Sequence, residues 1–177
     1  PAAPLTGRVL AGSFVHAGGQ EEGWTQLTLA GGQQGWLPTA HLRGLPDLPS
    51  SAEERRSQLV ADTARLMGVP YLWGGASAHG IDCSGFVQLA YRLIGVRLPR
   101  DADMQFAAGV AVSPPYRRGD LFFFGSAGGH RQITHVGMSL GDWRMIHSSR
   151  SRNGVYVEDV QDTPHLHTTF VGARRFL

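Results

Sequence analysis

Lysine is absent from the 177 residues, and cysteine occurs once, at Cys83. One cysteine excludes an internal disulfide and leaves the redox compartment open. All sixteen basic side chains are arginine, scattered along the chain against fourteen acidic ones, so the net charge is only +2. The pairs Arg55-Arg56, Arg117-Arg118 and Arg174-Arg175 are too dispersed to mark a nucleic-acid surface. No apolar run is long enough to cross a bilayer. No basic region followed by an apolar core marks an export signal. The chain starts at Pro1 rather than Met, which fits a processed or trimmed product and leaves room for a removed export signal. A hydrophobic content of 42% with 17% charged residues is ordinary for a globular chain, and the length allows one full domain and a small one.

Residues 5–44 break into short strand-like runs separated by glycine turns. "GWTQLTLAGGQQGWLPTAHL" holds two such runs around "GGQQG", each opened by a Gly-Trp pair. The pattern resembles a bacterial SH3-like β-barrel, whose strands often carry Trp where Trp24 and Trp36 stand. About forty residues is short for a self-sufficient barrel. The expectation is a small SH3-like β domain over 1–44, its first strand missing or supplied differently, and a Pro-rich linker over 45–50.

The larger domain is expected over 51–177. Ser51 and Glu54 have capping-box spacing, which predicts a helix start. Leu59, Val60, Thr63, Ala64 and Met67 fall at a 3.6-residue period and give that helix one buried face; Gly68 and Pro70 end it. The glycine-rich "WGGASAHG" leads into a second helix over about 83–94, with Phe86, Ala90, Leu93 and Ile94 as its stripe. After a loop come the strand-like "DLFFFG", "ITHVGMSLG", "WRMIHSS", "GVYVEDV" and "FVGARRFL". Two helices and then about five strands indicate an α+β fold with an antiparallel sheet.

Cys83 shares a helical stripe with Phe86 and Ala90, where a lone cysteine ordinarily packs as a small inert core residue. Three features oppose that reading. The thiol stands in the first turn of its helix, where unpaired N–H groups and the dipole favour a thiolate. Asp82 and Ser84 flank it with polar groups. Gly74, Gly75 and Gly80 before it, and Gly85 after it, let backbone approach a ligand closely. A thiol nucleophile also needs a base that a third group orients. If "ITHVGMSLGDWRMIHSS" forms a hairpin with an odd-length loop centred on Gly141, His135 lies directly across from His147, with Cβ atoms about 4.5–5.5 Å apart. A two-residue turn would shift the pairing by one and send His147 to the other face.

Together "YLWGG…DCSGFVQLAY", "LPRDADMQ", "GDLFFF", "ITHVGM" and "MIHSS" resemble the NlpC family of papain-like bacterial cell-wall cysteine peptidases, over nearly all of 51–177. The resemblance implies a papain-like helix carrying the cysteine, packed on an antiparallel sheet carrying the histidines. It implies Cys83 as nucleophile, His135 as general base and acid, and His147 as the residue orienting His135. The implied substrate is a peptidoglycan stem peptide or muropeptide, cut between γ-linked D-glutamate and a diamino acid through a Cys thioester, with no cofactor. An SH3-like front half is a common companion in the family. The implied location is outside the cytoplasm, in cell wall or periplasm, with cytoplasmic muropeptide recycling as the alternative. An amidase or acyltransferase on the same scaffold, and a non-catalytic wall-binding module, are the competing functions. Asp101 and Asp103 stand in a segment where the family often has small hydroxyl residues.

The other groups around the thiol carry paired readings. The Cys83 N–H is the first oxyanion donor, and the Tyr71 hydroxyl is either a second donor or part of a half-buried core aromatic. Asp82 is either a helix cap or the partner of a substrate ammonium, and Ser84 beside it is a substrate-binding candidate. Trp73 either walls a cleft or seals the core. Glu21 and Glu22 either narrow the cleft or are solvated loop charges. Cys83, His135 and His147 also make a plausible zinc ligand set, ranked below catalysis because no second cysteine or carboxylate completes a motif; no metal is expected. His165 and His167 lie two apart on a possible strand, facing one way. His130 reads as a loop residue. The tripeptide Arg118-Gly119-Asp120 reads as a turn feeding a strand rather than as an adhesion motif. The "WGGASAHG" loop lacks a P-loop lysine and suggests no nucleotide.

Overall fold

A computed structural model describes residues 7–126 and 132–177. His130 therefore lies outside the described residues. The chain divides into two units, Pro1–Leu48 and Pro49–Leu177.

In the first unit β1 (His16–Glu21), β2 (Trp24–Thr28) and β3 (Gln34–Pro38) form one antiparallel sheet in that order. Glu21 pairs with Trp24, so Glu22 and Gly23 alone make the first turn, and both have positive φ. That is the backbone of the two-residue turn that matches strand twist. Thr25 and Leu27 alternate onto one buried face, while every residue of β1 is exposed. The sheet has three strands and is not closed into a barrel. Glu21 and Glu22 are both exposed.

The second unit opens with α1 (Ala52–Ala64). Ser51 Oγ accepts the Glu54 N–H, and Glu54 Oε2 accepts the Ser51 N–H, which completes the capping box. The buried stripe is rotated from the expected one. Arg56, Leu59, Thr63 and Leu66 are buried, whereas Ala64 is exposed and Met67 is 47% exposed. Arg56 belongs inside because its guanidinium donates to the carbonyls of Arg118 and Leu177 at 2.7 Å each. A two-stranded hairpin, β4 (Ala76–Ser77) and β5 (Gly80–Ile81), leads into α2 (Cys83–Leu93). The expected loop after α2 instead contains α3 (Ala102–Ala108) and β6 (Val110–Val112).

Next come β7 (Leu121–Gly125), β8 (Ile133–Ser139), β9 (Arg144–Ser149), β10 (Gly154–Asp159), α4 (Pro164–Thr169) and β11 (Phe170–Arg175). Their sheet runs β10-β9-β8-β7-β11-β6, and every pair is antiparallel. Both of its faces are covered, which explains the unbroken apolar run of β7. Leu121 and Phe123 join Val136, Met138 and Ile146 beneath α2. Phe122 and Phe124 turn the other way, into a cluster with Tyr116, Met145 and Leu166. His165 and His167 stand on α4, not on a strand. Two residues apart on a helix are about 200° apart, so they do not share a face.

Asp120 is fully buried and takes two 2.7 Å bonds from the Arg175 guanidinium. Gly119 has φ +89°. The tripeptide there is a turn into β7, and its acidic group is not exposed.

Candidate active site

Asp82 caps α2 and ties down the loop before it. Its Oδ1 accepts the Gly85 N–H at 2.6 Å, and its Oδ2 accepts the Gly74 N–H at 2.9 Å. The Arg100 guanidinium closes on the same carboxylate at 2.6 and 3.1 Å, and on the Ser84 hydroxyl at 2.8 Å. Burial works to raise the Asp82 pKa, but Arg100 and the two amides outweigh it and hold the carboxyl below its ordinary range. The capping reading of Asp82 thus has direct contacts, and Ser84 is committed to the same network. At Gly85 an added Cβ would collide with the Gly75 carbonyl and come 3.0 Å from Asp82 Oδ1, so the loop can lie on the helix start only over glycine.

The segment after α1 is stitched between β10 and β5. Gly68 and Tyr71 donate to the carbonyls of Val155 and Asn153, and Ile81 donates to Pro70. Ser148, the neighbour of His147, donates its hydroxyl to the Ile81 carbonyl at 2.7 Å. The histidine strand and the peptide entering α2 are therefore held together by a buried bond.

Cys83 begins α2 and is 8% exposed. The backbone N–H of Val136, the residue that follows His135, is among the amides acting on the Cys83 sulfur. Burial is the largest influence on the thiol and pushes its pKa up. The Asp82 charge adds to that, and the amides of Val136, Ser84 and Cys83 offset only part. The expected preformed thiolate is thus reversed: desolvation outweighs the helix-start amides.

His135 pairs with Phe124, their ring centroids 5.7 Å apart, and His147 pairs with Tyr156 at 4.5 Å. Both rings stand on the face carrying Phe124 and Met145, whereas the body of α2 packs on the face carrying Phe123 and Val136. The β8–β9 ladder consists of Met138↔Ile146 and Ser139↔Met145 and continues no further toward Ile133. Cys83 itself joins the cluster on the α2 face that holds Val136.

The register also corrects the hairpin. The pairs centre on Asp142 rather than Gly141, so His135 is diagonal to His147 and Gly137 stands opposite it. A shift of two keeps both rings on one face. They share a hydrogen bond of 2.7 Å between His135 Nε2 and His147 Nδ1. Burial, with repulsion from His165, holds the His135 pKa below its ordinary value. Burial does the same at His147, with His135, His165 and Arg152 adding to it. At neutral pH these influences favour a neutral thiol and two neutral imidazoles. The shared bond uses His135 Nε2 and leaves Nδ1 as its other ring nitrogen.

The other candidates sit around this centre. Tyr71 is half-buried, and its hydroxyl feels burial first and then the charges of Cys83 and Asp82, all of which raise its pKa. Trp73 is 82% exposed and seals no core. Asp101 and Asp103 are exposed at the start of α3. Among the described residues no three His, Cys, Asp or Glu side chains form a metal-binding group. Two polar residues escaped the sequence reading. Arg100 lies in the "LPRDADMQ" motif, but nothing in its spacing points to Asp82. Glu158 brings Oε2 within 3.2 Å of His147 Nε2; its alternation with Tyr156 was the available signal, given the register of β9 with β10.

A model of the NlpC/P60 family matches residues 68–175. The chain is 36% identical over 156 residues to a γ-D-glutamyl-L-lysine dipeptidyl-peptidase of Bacillus cereus, covering 86% of this chain and 46% of the relative. It is 34% identical over 146 residues to the peptidoglycan endopeptidase RipB of Mycobacterium tuberculosis, covering 74% and 59%. The chain thus spans about half the length of these curated relatives. The crystal structure of an NlpC/P60 family protein from Bacillus cereus superposes with a TM-score of 0.82 at 34% identity, over 92% of this chain and 53% of that one. With the bonded imidazole pair, the buried thiol and the helix-on-sheet frame described, these matches agree on one assignment: the chain belongs to the NlpC/P60 family.

Proposed function

We propose that this chain is a cell-wall cysteine endopeptidase that hydrolyses peptidoglycan stem peptides between γ-D-glutamate and the diamino acid. The observation that carries the reading is the 2.7 Å bond between His135 Nε2 and His147 Nδ1, in a unit whose α2 opens on Cys83. Relatives named as a γ-D-glutamyl-L-lysine dipeptidyl-peptidase and a peptidoglycan endopeptidase support the substrate class.

In this reading His135 acts at Nδ1. It takes the Cys83 proton as the sulfur attacks the amide carbonyl carbon, so no standing thiolate is needed. The tetrahedral oxyanion meets the Cys83 backbone N–H at the helix start and the Tyr71 hydroxyl. As the C–N bond breaks, the proton on His135 passes to the leaving amine and a thioester remains. Water then attacks the thioester, gives its proton to His135, and the acid departs with the thiol restored. His147 holds the His135 ring throughout. Exposed Trp73 offers an apolar wall for the stem peptide. Asp82 and Ser84, braced by Arg100, hold the loop that carries that wall.

The three-stranded first unit reads as an SH3-like module, supported by the Gly-Trp openings of β2 and β3. The substrate argues for action at the wall or periplasm, with muropeptide recycling as the alternative. Among the described residues no helix is long and apolar enough to cross a membrane.

The test is mass spectrometry of products from L-Ala-γ-D-Glu-L-Lys and its diaminopimelate counterpart. A free diamino acid and the dipeptide L-Ala-γ-D-Glu are expected. A sugar with a free lactyl carboxylate and a released peptide from muropeptides, or an acylated acceptor, would replace this reading with an amidase or a transferase.

A further inference from the structure

We propose that Glu158 is a positioning residue that fixes the tautomer of His147 and, through it, which nitrogen of His135 carries the lone pair. Its catalytic consequence rests on the peptidase reading; its structural content does not.

The register of β10 on β9 pairs Tyr156 with His147 and Glu158 with Met145, so Glu158 lies diagonally beside His147 on the same face. Its Oε2 is 3.2 Å from His147 Nε2, with the Glu158 side chain 10% exposed and that of His147 1%. The contact falls short of a straight hydrogen bond, yet both atoms are buried and neither has another hydrogen-bond partner among the described residues. The second oxygen is occupied: Arg152 Nη2 donates to Oε1 at 3.1 Å, with its guanidinium 4.7 Å from the Tyr156 ring centroid. Arg152 thus occupies Oε1 and leaves Oε2 facing His147.

A neutral imidazole carries one hydrogen, and a carboxylate can only accept. Facing Oε2, His147 therefore carries its hydrogen on Nε2 and presents a lone pair at Nδ1. Across the 2.7 Å bond that lone pair can only accept, so His135 donates from Nε2 and keeps its own lone pair at Nδ1. This is the nitrogen that receives the thiol proton. The opposite arrangement, with hydrogen on His147 Nδ1, would drive the His135 hydrogen onto Nδ1 and block the base. The charged and titratable groups acting on His147 are His135 from β8, Tyr156 and Glu158 from β10, Arg152 before β10, and His165 from α4. Glu158 is the one anion among them, and so the group that selects between the two arrangements.

Nitrogen-15 NMR of the imidazoles in the unmodified chain at pH 7 tests this without substrate. Hydrogen on Nε2 and a bare Nδ1 at His147 are expected; hydrogen on His147 Nδ1 overturns the proposal. Glu158→Met should mix the tautomers and lower kcat by about 10- to 100-fold, part of the roughly 10²–10⁴-fold a positioned base supplies. KM should stay within about twofold, and Glu158→Asp should restore part of the rate. An unchanged tautomer and kcat in a folded Glu158→Met chain would also overturn it. If the unmodified chain turns over no stem peptide, the peptidase reading fails, while the NMR result still decides the role of Glu158.

Discussion

A thiol and an imidazole that are both desolvated share a proton differently from an exposed pair. Burial raises the Cys83 pKa and lowers that of His135, so both effects favour the neutral forms over a thiolate–imidazolium pair. Under the proposed peptidase function, proton transfer would accompany attack on the carbonyl rather than precede it. The same burial couples stability to pH. An unfolded histidine titrates near 6.5, whereas the folded His135 and His147 stay neutral well below that. Between those limits the unfolded chain binds more protons, so stability falls as pH drops below about 6.5, by at most about 1.4 kcal/mol per pH unit for each ring. Urea midpoints measured from pH 7 to pH 5 should decline, and His147→Asn should make the decline shallower. An equal slope in that variant would remove His147 from the pH dependence.

At the scale of elements, the site exists because a helix start and a strand pair meet at a place where the ladder is incomplete. Gly137 stands opposite His147; a Cβ there would lie 3.0 Å from His147 Cβ and press into the Met145 side chain. Gly137→Ala is expected to cost about 1–3 kcal/mol of stability as an overpacked core, and to lower kcat by displacing His147. Thermal unfolding and steady-state kinetics measure the two effects, and a variant with normal values of both would relieve Gly137 of this role. The strong local signals were readable in sequence: the Ser51–Glu54 box, the start of α2 at Cys83 and the five strands all carry their own caps or periodicity. What escaped was short or set by partners far away. α3 and α4 are seven and six residues long, too short for a period to declare itself, and His165 and His167 were consequently assigned to a strand. The stripe of α1 turned because Arg56 found two distant carbonyls, which no local pattern encodes.

At the scale of the molecule, one six-stranded sheet is buried on both faces, and a single acidic group helps tie its central strands to α1. Asp120 is 0% exposed, takes both ends of Arg175 and lies 4.0 Å from Arg56 Nη1. Asp120→Ala leaves those guanidinium groups without their anion and should destabilise the second unit by about 3–5 kcal/mol. Denaturant unfolding checks this, and a loss below about 1 kcal/mol would show that the arginines find other partners. The thiol–histidine–histidine set was legible because its three members lie in short motifs. Arg100 and Glu158 were not, because they act only through contacts created when separate strands and loops pack. The central claim, that Cys83 is the nucleophile, is tested most directly by the turnover of L-Ala-γ-D-Glu-L-Lys by Cys83→Ala. The account predicts hydrolysis at the uncatalysed background with thermal unfolding unchanged; hydrolysis at the rate of the unmodified chain would contradict it.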